Sequence, residues 1–291
     1  MSGREHIGFS PAQLQRLGEL SIRGGPEAHS FAEVAERDRA FEELQRTLTL
    51  ENLRRLDGLR ESGAPLLSRL ARNLADHLRA EGFVEVATPI LIGKGSLQKM
   101  GLDQDHPLWR QVYWVDRSRC LRPMLAPNLY YLLGHLQRIW DLPVRLFELG
   151  TCFRKETKGA RHLSEFTMLN LVELGPETDP EERLAELAHS VMGLAGIEFD
   201  LETTDSEVYG PSMDVLAGGV EIASGLAGPH RLDENWGISN AWVGWGFGLE
   251  RMAMVLESSS QIHRFGRSLI YLDGARLNIQ RQSSARQGAE A

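Results

Sequence analysis

At 291 residues, with 42% hydrophobic content and a formal charge of −8 from 32 Lys+Arg and 40 Asp+Glu, the chain has material for one large core plus an appendage. That balance excludes a globally basic nucleic-acid binder. No run approaches the roughly 18 uninterrupted apolar residues of a membrane span, and MSGREHIGFS lacks a signal-peptide apolar stretch, so no membrane association is expected. Two cysteines, Cys120 and Cys152, supply neither a zinc framework nor a disulfide scaffold, and read as small buried hydrophobes in a reducing cytoplasm.

The charge is uneven. Residues 1–80 hold 12 Lys+Arg and 12 Asp+Glu, leaving 20 and 28 beyond, so the whole −8 lies after position 80. Every basic residue of that first part is arginine, which suits either an arm that touches phosphates or an ordinary solvated helical surface. Ser10 followed by PAQLQRLGEL predicts an N-capped helix with Pro11 at its first position, broken by the GGP at 24–26. A second helix is expected from Ser30 to about Leu59, punctuated by Arg37, Arg39, Arg46, Arg54, Arg55 and Arg60, with a boundary at Glu61–Pro65. Leu66, Leu70, Leu74 and Leu78 then step by four, an amphipathic helix that Gly82 ends. FVEVATPIL reads as a strand closed by Pro89, and QVYWVD as a short strand-like piece within the turn-rich residues 93–119. CLRPMLAP leads into a helix from Asn128 to about Trp140.

Arg145–Glu173 alternates with period two on either side of a polar loop, TKGARHLS. It predicts two antiparallel strands with one oily face. The other face carries Arg154, Glu156, Phe166 and Asn170, a cation, an acceptor, a ring and an amide of the kind a bound nucleotide needs, although an ordinary hairpin with a solvated face fits the pattern equally. Pro180–Gly196 reads as a helix opened by acidic residues. SMDVLAGGVEIASGLAGP reads as paired strands with a glycine turn, and WVGWGFGLERMAMVLE as a strand running into a helix. In the latter, Gly244 and Gly246 face away from Trp245 and Arg251 falls in the first helical turns. The final polar residues are expected to be disordered.

Phe-Arg-Lys-Glu, the loop, and His-Leu-x-Glu-Phe-Thr-Met-Leu-Asn resemble motif 2 of the class II aminoacyl-tRNA synthetases, and more narrowly that of the pyrrolysyl-tRNA synthetases. CLRPMLAPNLY upstream, WVGWGFGLER and RSLIYLDGARLNI downstream extend the likeness from about Phe9 to Ile279, in the bacterial, catalytic-only form. The resemblance implies an α+β fold: a class II antiparallel sheet flanked by helices, with an N-terminal helical arm. The expected division is a tRNA-binding arm at 1–62, a catalytic domain at 63–279 and a polar tail at 280–291.

The implied activity is ATP-dependent ligation: activation of pyrrolysine to its adenylate, then transfer to the 3′ end of a cognate suppressor tRNA. Carboxylate attack on an α-phosphate sets negative charge against negative charge, so cations and Mg²⁺ are needed there. By resemblance Arg154 and Arg251 are catalytic. ATP is held by these two with Glu156, His162, Leu163, Phe166 and Gly246, and Glu221 and Ser224 ligate Mg²⁺ and belong to the ATP site. The implied amino-acid pocket comprises Ala126, Leu129, Tyr130, Leu133, Met168, Asn170, Val172, Tyr209, Leu226, Trp242 and Gly244. Val172 and Leu226 differ in size from some relatives, and Trp245 replaces a smaller residue in motif 3. Expected partners are the tRNA, a second copy in a homodimer built on the motif 1-like residues 66–89, and a separately encoded tRNA-binding N-terminal-domain protein. The alternatives are a class II synthetase for another amino acid, such as a phosphorylated one, and a non-catalytic paralogue acting as regulator or scaffold.

Overall fold

The computed structural model describes residues 7–23, 29–155, 162–206 and 210–280. Helix α1 (Pro11–Leu20) begins where predicted: Ser10 accepts from the Gln13 N–H and the Gln13 side chain reaches back to the Ser10 N–H, closing a capping box. Helix α2 (Val34–Ser62) starts four residues later than expected and runs to Gly63, whose φ of 69° ends it. Helix α3 (Leu66–Ala80) buries Leu70, Leu74 and Leu78. The strand expected over 83–91 shrinks to β1 (Val84–Glu85), because Pro89 has no N–H to donate and the chain turns to reach β2 (Leu91–Gly93).

Helices α4 (Lys94–Lys99) and α5 (Pro107–Arg110) and strand β3 (Arg119–Leu121) follow. QVYWVD is not a strand. Only the Trp114–Cys120 bridge forms there, and the Trp114 ring leans on Trp109 with centroids 4.6 Å apart. Helix α6 (Ala126–Leu136) begins two residues before the predicted start, since Pro127 is tolerated in a first turn, and it stops short of Trp140.

Strands β4 (Val144–Phe153) and β5 (Glu165–Leu174) form the predicted hairpin, in register from Val144↔Leu174 to Phe153↔Glu165. Helix α7 (Pro180–Ala195) is capped by Asp179, with Glu181 and Glu182 in its first turn. Strands β6 (Asp200–Ser206), β7 (Gly210–Ala217), β8 (Val220–Gly228) and β9 (Trp242–Gly248) complete the sheet, and α8 (Leu249–Leu256) follows β9 directly. A small hairpin, β10 (Tyr271–Leu272) with β11 (Ala275–Arg276), ends the described chain. The seven strands are ordered β1-β4-β5-β9-β8-β7-β6, all antiparallel except β1 beside β4. The fold is therefore the α+β class II arrangement expected.

One face of the sheet carries Phe147, Leu169, Leu171, Val243, Trp245 and Phe247 and is sealed by α3, α7 and α8. The Trp245 indole lies in that core and donates to the Leu184 carbonyl at 2.8 Å. Gly225 is its complement, since a Cβ there would enter the indole. The other face, with α6, forms a second apolar cluster around Leu146, Val172, Leu226 and Trp242. Both cysteines are buried, and desolvation pushes the thiols up to about 11 at Cys120 and about 12 at Cys152, so neither is a nucleophile near neutrality. Among the described residues no helix is long and apolar enough to cross a membrane.

The break at Gly63 is not a break in packing. Arg264, fully buried, donates from Nη2 to the carbonyls of Gly18 and Glu19 at 2.6 and 2.8 Å and from Nη1 to Gly274 O at 3.1 Å. It thereby supplies the C-terminal turn of α1 with the cation that the helix itself lacks. Asn52 of α2 is buried too; its amide donates to Leu20 O and accepts from the Arg276 N–H. Arg55 pairs with Glu257 at 2.7 Å. Arg264→Met is expected to lower unfolding free energy by on the order of 3 kcal/mol, because three carbonyls lose their donors in a buried site. Urea denaturation followed by far-UV circular dichroism checks this; a change below about 1 kcal/mol would mean that water replaces the guanidinium without cost.

Candidate active site

A cavity of about 530 Å³ opens on the α6 face of the sheet. The strand register lays out its floor. One cross-strand row runs Glu148–Asn170–Gly246–Ser224–Asp214, and its neighbour runs Leu146–Val172–Gly244–Leu226. Along β5 the floor extends from Phe166 to Val172, about 20 Å at strand rise. Both rows are bare of side chains where they cross β9. A Cβ on Gly246 would come within 3.1 Å of Met168 Cε and 3.3 Å of Asn170 Nδ2, and one on Gly244 within 3.3 Å of Leu171 O. Glycine is required here to keep the middle of the cavity open.

The two ends differ in chemistry. Arg154, His162, Leu163, Phe166, Glu221, Ser224 and Arg251 lie toward one end, from the last turn of β4 to the first turn of α8. Arg154 donates from Nε to Pro123 O at 2.9 Å and sits over the Phe166 ring, 5.4 Å from its centroid. Arg251 Nη1 donates to Glu221 O at 2.8 Å and pairs with its carboxylate at 3.1 Å. Ala126, Leu129, Tyr130, Leu133, Val172, Leu226 and Trp242 line the other end, with Met168, Asn170 and Gly244 between. Asn170 Oδ1 is buried with no hydrogen-bond partner among the described residues, and so is Ser212 Oγ on β7. Such orphans cost about 1–3 kcal/mol each unless a ligand or water serves them.

All the residues expected from the sequence therefore line this cavity, apart from Glu156 and Tyr209, which lie outside the described residues. The expected tail beyond 280 also lies outside them. The sequence reading missed Leu108, Met124, Thr204, Ser212, Asp214 and Glu250, which share the lining. Ser212 and Asp214 were legible, since alternation in SMDVL puts them on one face, two residues apart. Burial raises the Asp214 carboxyl above its ordinary range, the hydrogen bond from Ser224 opposes this, and the charges of Glu221 and Glu202 add to it. Burial likewise raises Glu250, whose two oxygens both accept the Thr167 N–H at 2.9 Å and so tie α8 to β5.

No relay for a protein nucleophile appears among these groups. Outside the cavity, His77 presents the same ring nitrogen to Ser190 at 2.6 Å and to Glu81 at 3.3 Å. The carboxylate thus cannot orient the ring through its other nitrogen, and the trio instead joins α3 to α7. Among the described residues no three His, Cys, Asp or Glu side chains converge as a metal cage. Glu221 and Ser224 offer two hard oxygen donors, which fits Mg²⁺, an ion that keeps several waters and fills its shell from substrate phosphates.

Residues 57–273 match the family model described as tRNA synthetases class II core domain (F). The chain belongs to the class II aminoacyl-tRNA synthetases. Two solved structures of pyrrolysyl-tRNA synthetase from Desulfitobacterium hafniense superpose with TM-scores of 0.88 and 0.86, at 50% and 49% identity, covering 93% of this chain and 98% of theirs. Within the class, the chain is a member of the pyrrolysyl-tRNA synthetase family. Curated relatives include an O-phosphoserine--tRNA(Cys) ligase from Methanoculleus marisnigri, 28% identical over 174 residues, or 56% of this chain and 33% of that one. A threonine--tRNA ligase from Wolbachia pipientis is 31% identical over 107 residues, or 35% of this chain and 17% of that one. The chain thus spans a third or less of the length of these curated relatives.

Gly246→Ala is expected to weaken ATP binding on the order of tenfold, because the new methyl stands on the cavity floor between Met168 and Asn170. Calorimetric titration with ATP, beside a thermal melt, checks it. An unchanged affinity in a folded variant would show that the nucleotide does not cross β9.

Proposed function

We propose that the chain activates pyrrolysine with ATP to the aminoacyl-adenylate and transfers it to the 3′ end of a cognate tRNA. The observation that carries this is the polarity of the cavity, with cations at one end of a glycine-floored trough, a long apolar chamber at the other and the orphan amide oxygen of Asn170 between them. Arg154 meets the α-phosphate, where its fixed guanidinium offsets the charge that grows as the carboxylate attacks. Phe166 and Arg251 stack on the adenine, Leu163 and Glu156 read its edge, and His162 lies by the phosphates. Bound at Glu221 and Ser224, Mg²⁺ would neutralise phosphate charge. Nucleotide arrival would exchange the Arg251–Glu221 pair for contacts to the ligand, a half-exposed pair that costs little to open.

The chamber favours pyrrolysine over a phosphorylated amino acid. Among the described residues, the basic side chains that line the cavity, Arg154, His162 and Arg251, all lie toward the nucleotide end. A phosphate in the far chamber would stand among Leu129, Leu133, Val172, Leu226 and Trp242, with no cation among the described residues of that end. A lysine chain carrying a ring-bearing amide suits that surface, with the Asn170 amide serving the ligand's polar link and Tyr209 the ring. The segment 84–91 leaves Val84 exposed on the edge strand β1 and Ile90 and Leu91 exposed where the chain leaves it for β2, which suits burial against a second copy in a homodimer. Both substrate classes, ATP and tRNA, are consistent with work in the cytoplasm.

ATP–pyrophosphate exchange tests the reading. Exchange should depend on pyrrolysine, exceed that with phenylalanine or O-phosphoserine, and fall by on the order of 10²–10³ in Arg154→Ala. A preference for O-phosphoserine, or exchange by Arg154→Ala within about threefold of wild type, would overturn it.

The arm is assigned to the tRNA. Arg39, Arg46 and Arg54 of α2 are exposed, and their spacings of seven and eight residues keep them within about 80° of one another on the helix. Reversing all three to Glu should lower tRNA charging by on the order of tenfold or more and leave exchange unchanged. Charging at the wild-type rate would return the stripe to a solvated surface.

A further inference from the structure

The residue that fixes Arg154 is not in the trough. Arg122, in the loop before α6, is 3% exposed, and its guanidinium spends its donors on two separate segments, β4 and the turn at Thr88. Nε donates to Thr151 O at 2.8 Å. Nη1 donates to Glu148 Oε1 at 2.7 Å and to both Thr88 O and Thr88 Oγ1 at 3.1 Å. Glu148, equally buried, closes the ring by accepting the Thr88 N–H at 3.1 Å and the Thr88 hydroxyl at 2.7 Å. Asn128 of α6 donates to the same hydroxyl at 2.7 Å. Gly150 is bare because a Cβ there would occupy the position of Arg122 Nη2.

The backbone of Arg122 is clamped as well. Its N–H donates to Ile90 O and its carbonyl accepts the Phe153 N–H, both at 2.9 Å. The next carbonyl along the chain, Pro123 O, is the acceptor that holds Arg154 Nε at 2.9 Å. Proline fixes its own φ, so with Arg122 clamped on both sides only ψ of Pro123 is left to aim that carbonyl. Arg154 is thus held at Nε by the backbone carbonyl that adjoins a residue anchored in a buried ion pair, and it extends from there over Phe166.

We propose that Arg122, through its pair with Glu148 and Thr88, is the positioning residue for Arg154. It touches no substrate. It sets the direction from which the Arg154 guanidinium meets the reacting phosphate, and it ties that direction to the segment 88–90 beside the exposed β1 edge. This rests on the role of Arg154 given above.

A buried pair broken on one side is strongly destabilising, so the test replaces both partners with apolar groups of similar volume, Arg122→Met with Glu148→Leu, a change that buried pairs often tolerate. The double variant should fold, lower exchange by about 10²-fold and raise KM for ATP, since an orientational error at Arg154 costs transition-state stabilisation. In an Arg154→Ala background the same double change should lower exchange by less than about threefold, because the group it positions has gone. Thr88→Val, which removes only the shared hydroxyl, gives the same cycle with a gentler change: a loss of roughly three- to tenfold alone and none beside Arg154→Ala. Full multiplicative losses in the Arg154→Ala background, or folded variants with wild-type exchange, would overturn the proposal and leave the network a purely structural one. Absence of pyrrolysine-dependent exchange in the wild type would instead overturn the function proposed above.

Discussion

The structure turns on the two-residue alternation of β9. Its cavity face must be bare, and its other face must fill a core. Gly244 and Gly246 meet the first demand, while Val243, Trp245 and Phe247 meet the second. A strand with so many glycines forms poorly alone. Here it is held between β5 and β8, with the Trp245 indole filling the space that Gly225 leaves on the next strand. The trough therefore exists because bulk removed from one face has been moved to the other. The same exchange occurs on β4, where Gly150 yields its place to Arg122.

Electrostatics follow the same division of labour. The three buried glutamates are spoken for: Glu148 by Arg122 and Thr88, Glu173 by Arg145 and Arg183, and Glu250 by the Thr167 amide. Buried pairs of this kind add little net stability and much geometric definition. The charged groups left with water access at the trough, among them Glu221 and Arg251, are half-exposed and weakly held, so a ligand can reorganise them without disturbing the core.

Much of this was legible in the sequence, for physical reasons. The β4–β5 hairpin and β9 declare themselves because period-two alternation survives wherever one face is apolar and the other is not. The capping box at Ser10–Gln13 and the glycine at 63 mark helix ends directly. The failures share a cause. QVYWVD has strand composition, yet its aromatic rings pack on Trp109 and beneath Lys155 instead of on a neighbouring strand. Arg122 and Arg264 look like surface arginines in a linear reading. Their burial is decided by carbonyls from segments up to about 250 residues away, which no local pattern encodes. Asp214 and Ser212 were within reach of the alternation argument, but nothing local marks them out from the exposed Glu202, which stands opposite Asp214 on the same face of the neighbouring strand.

The docking of the arm has a consequence for how the protein is made. The groups that seat α1 and α2, Arg264, Gly274, Arg276 and Asn278, are separated from them by 224 to 262 residues in the pairs Asn52–Arg276 and Arg16–Asn278. At ribosomal speed that is a delay of roughly 10–50 s. Throughout it, the two helices exist without their dock and have one another, with Phe41, Leu44 and Leu48 of α2 packed on Phe9, Leu17 and Phe31. A polar, arginine-studded helix can wait in water without seeding association, whereas an oily one would not. The arm's polar outer face is thus matched to a fastening that is synthesised after it.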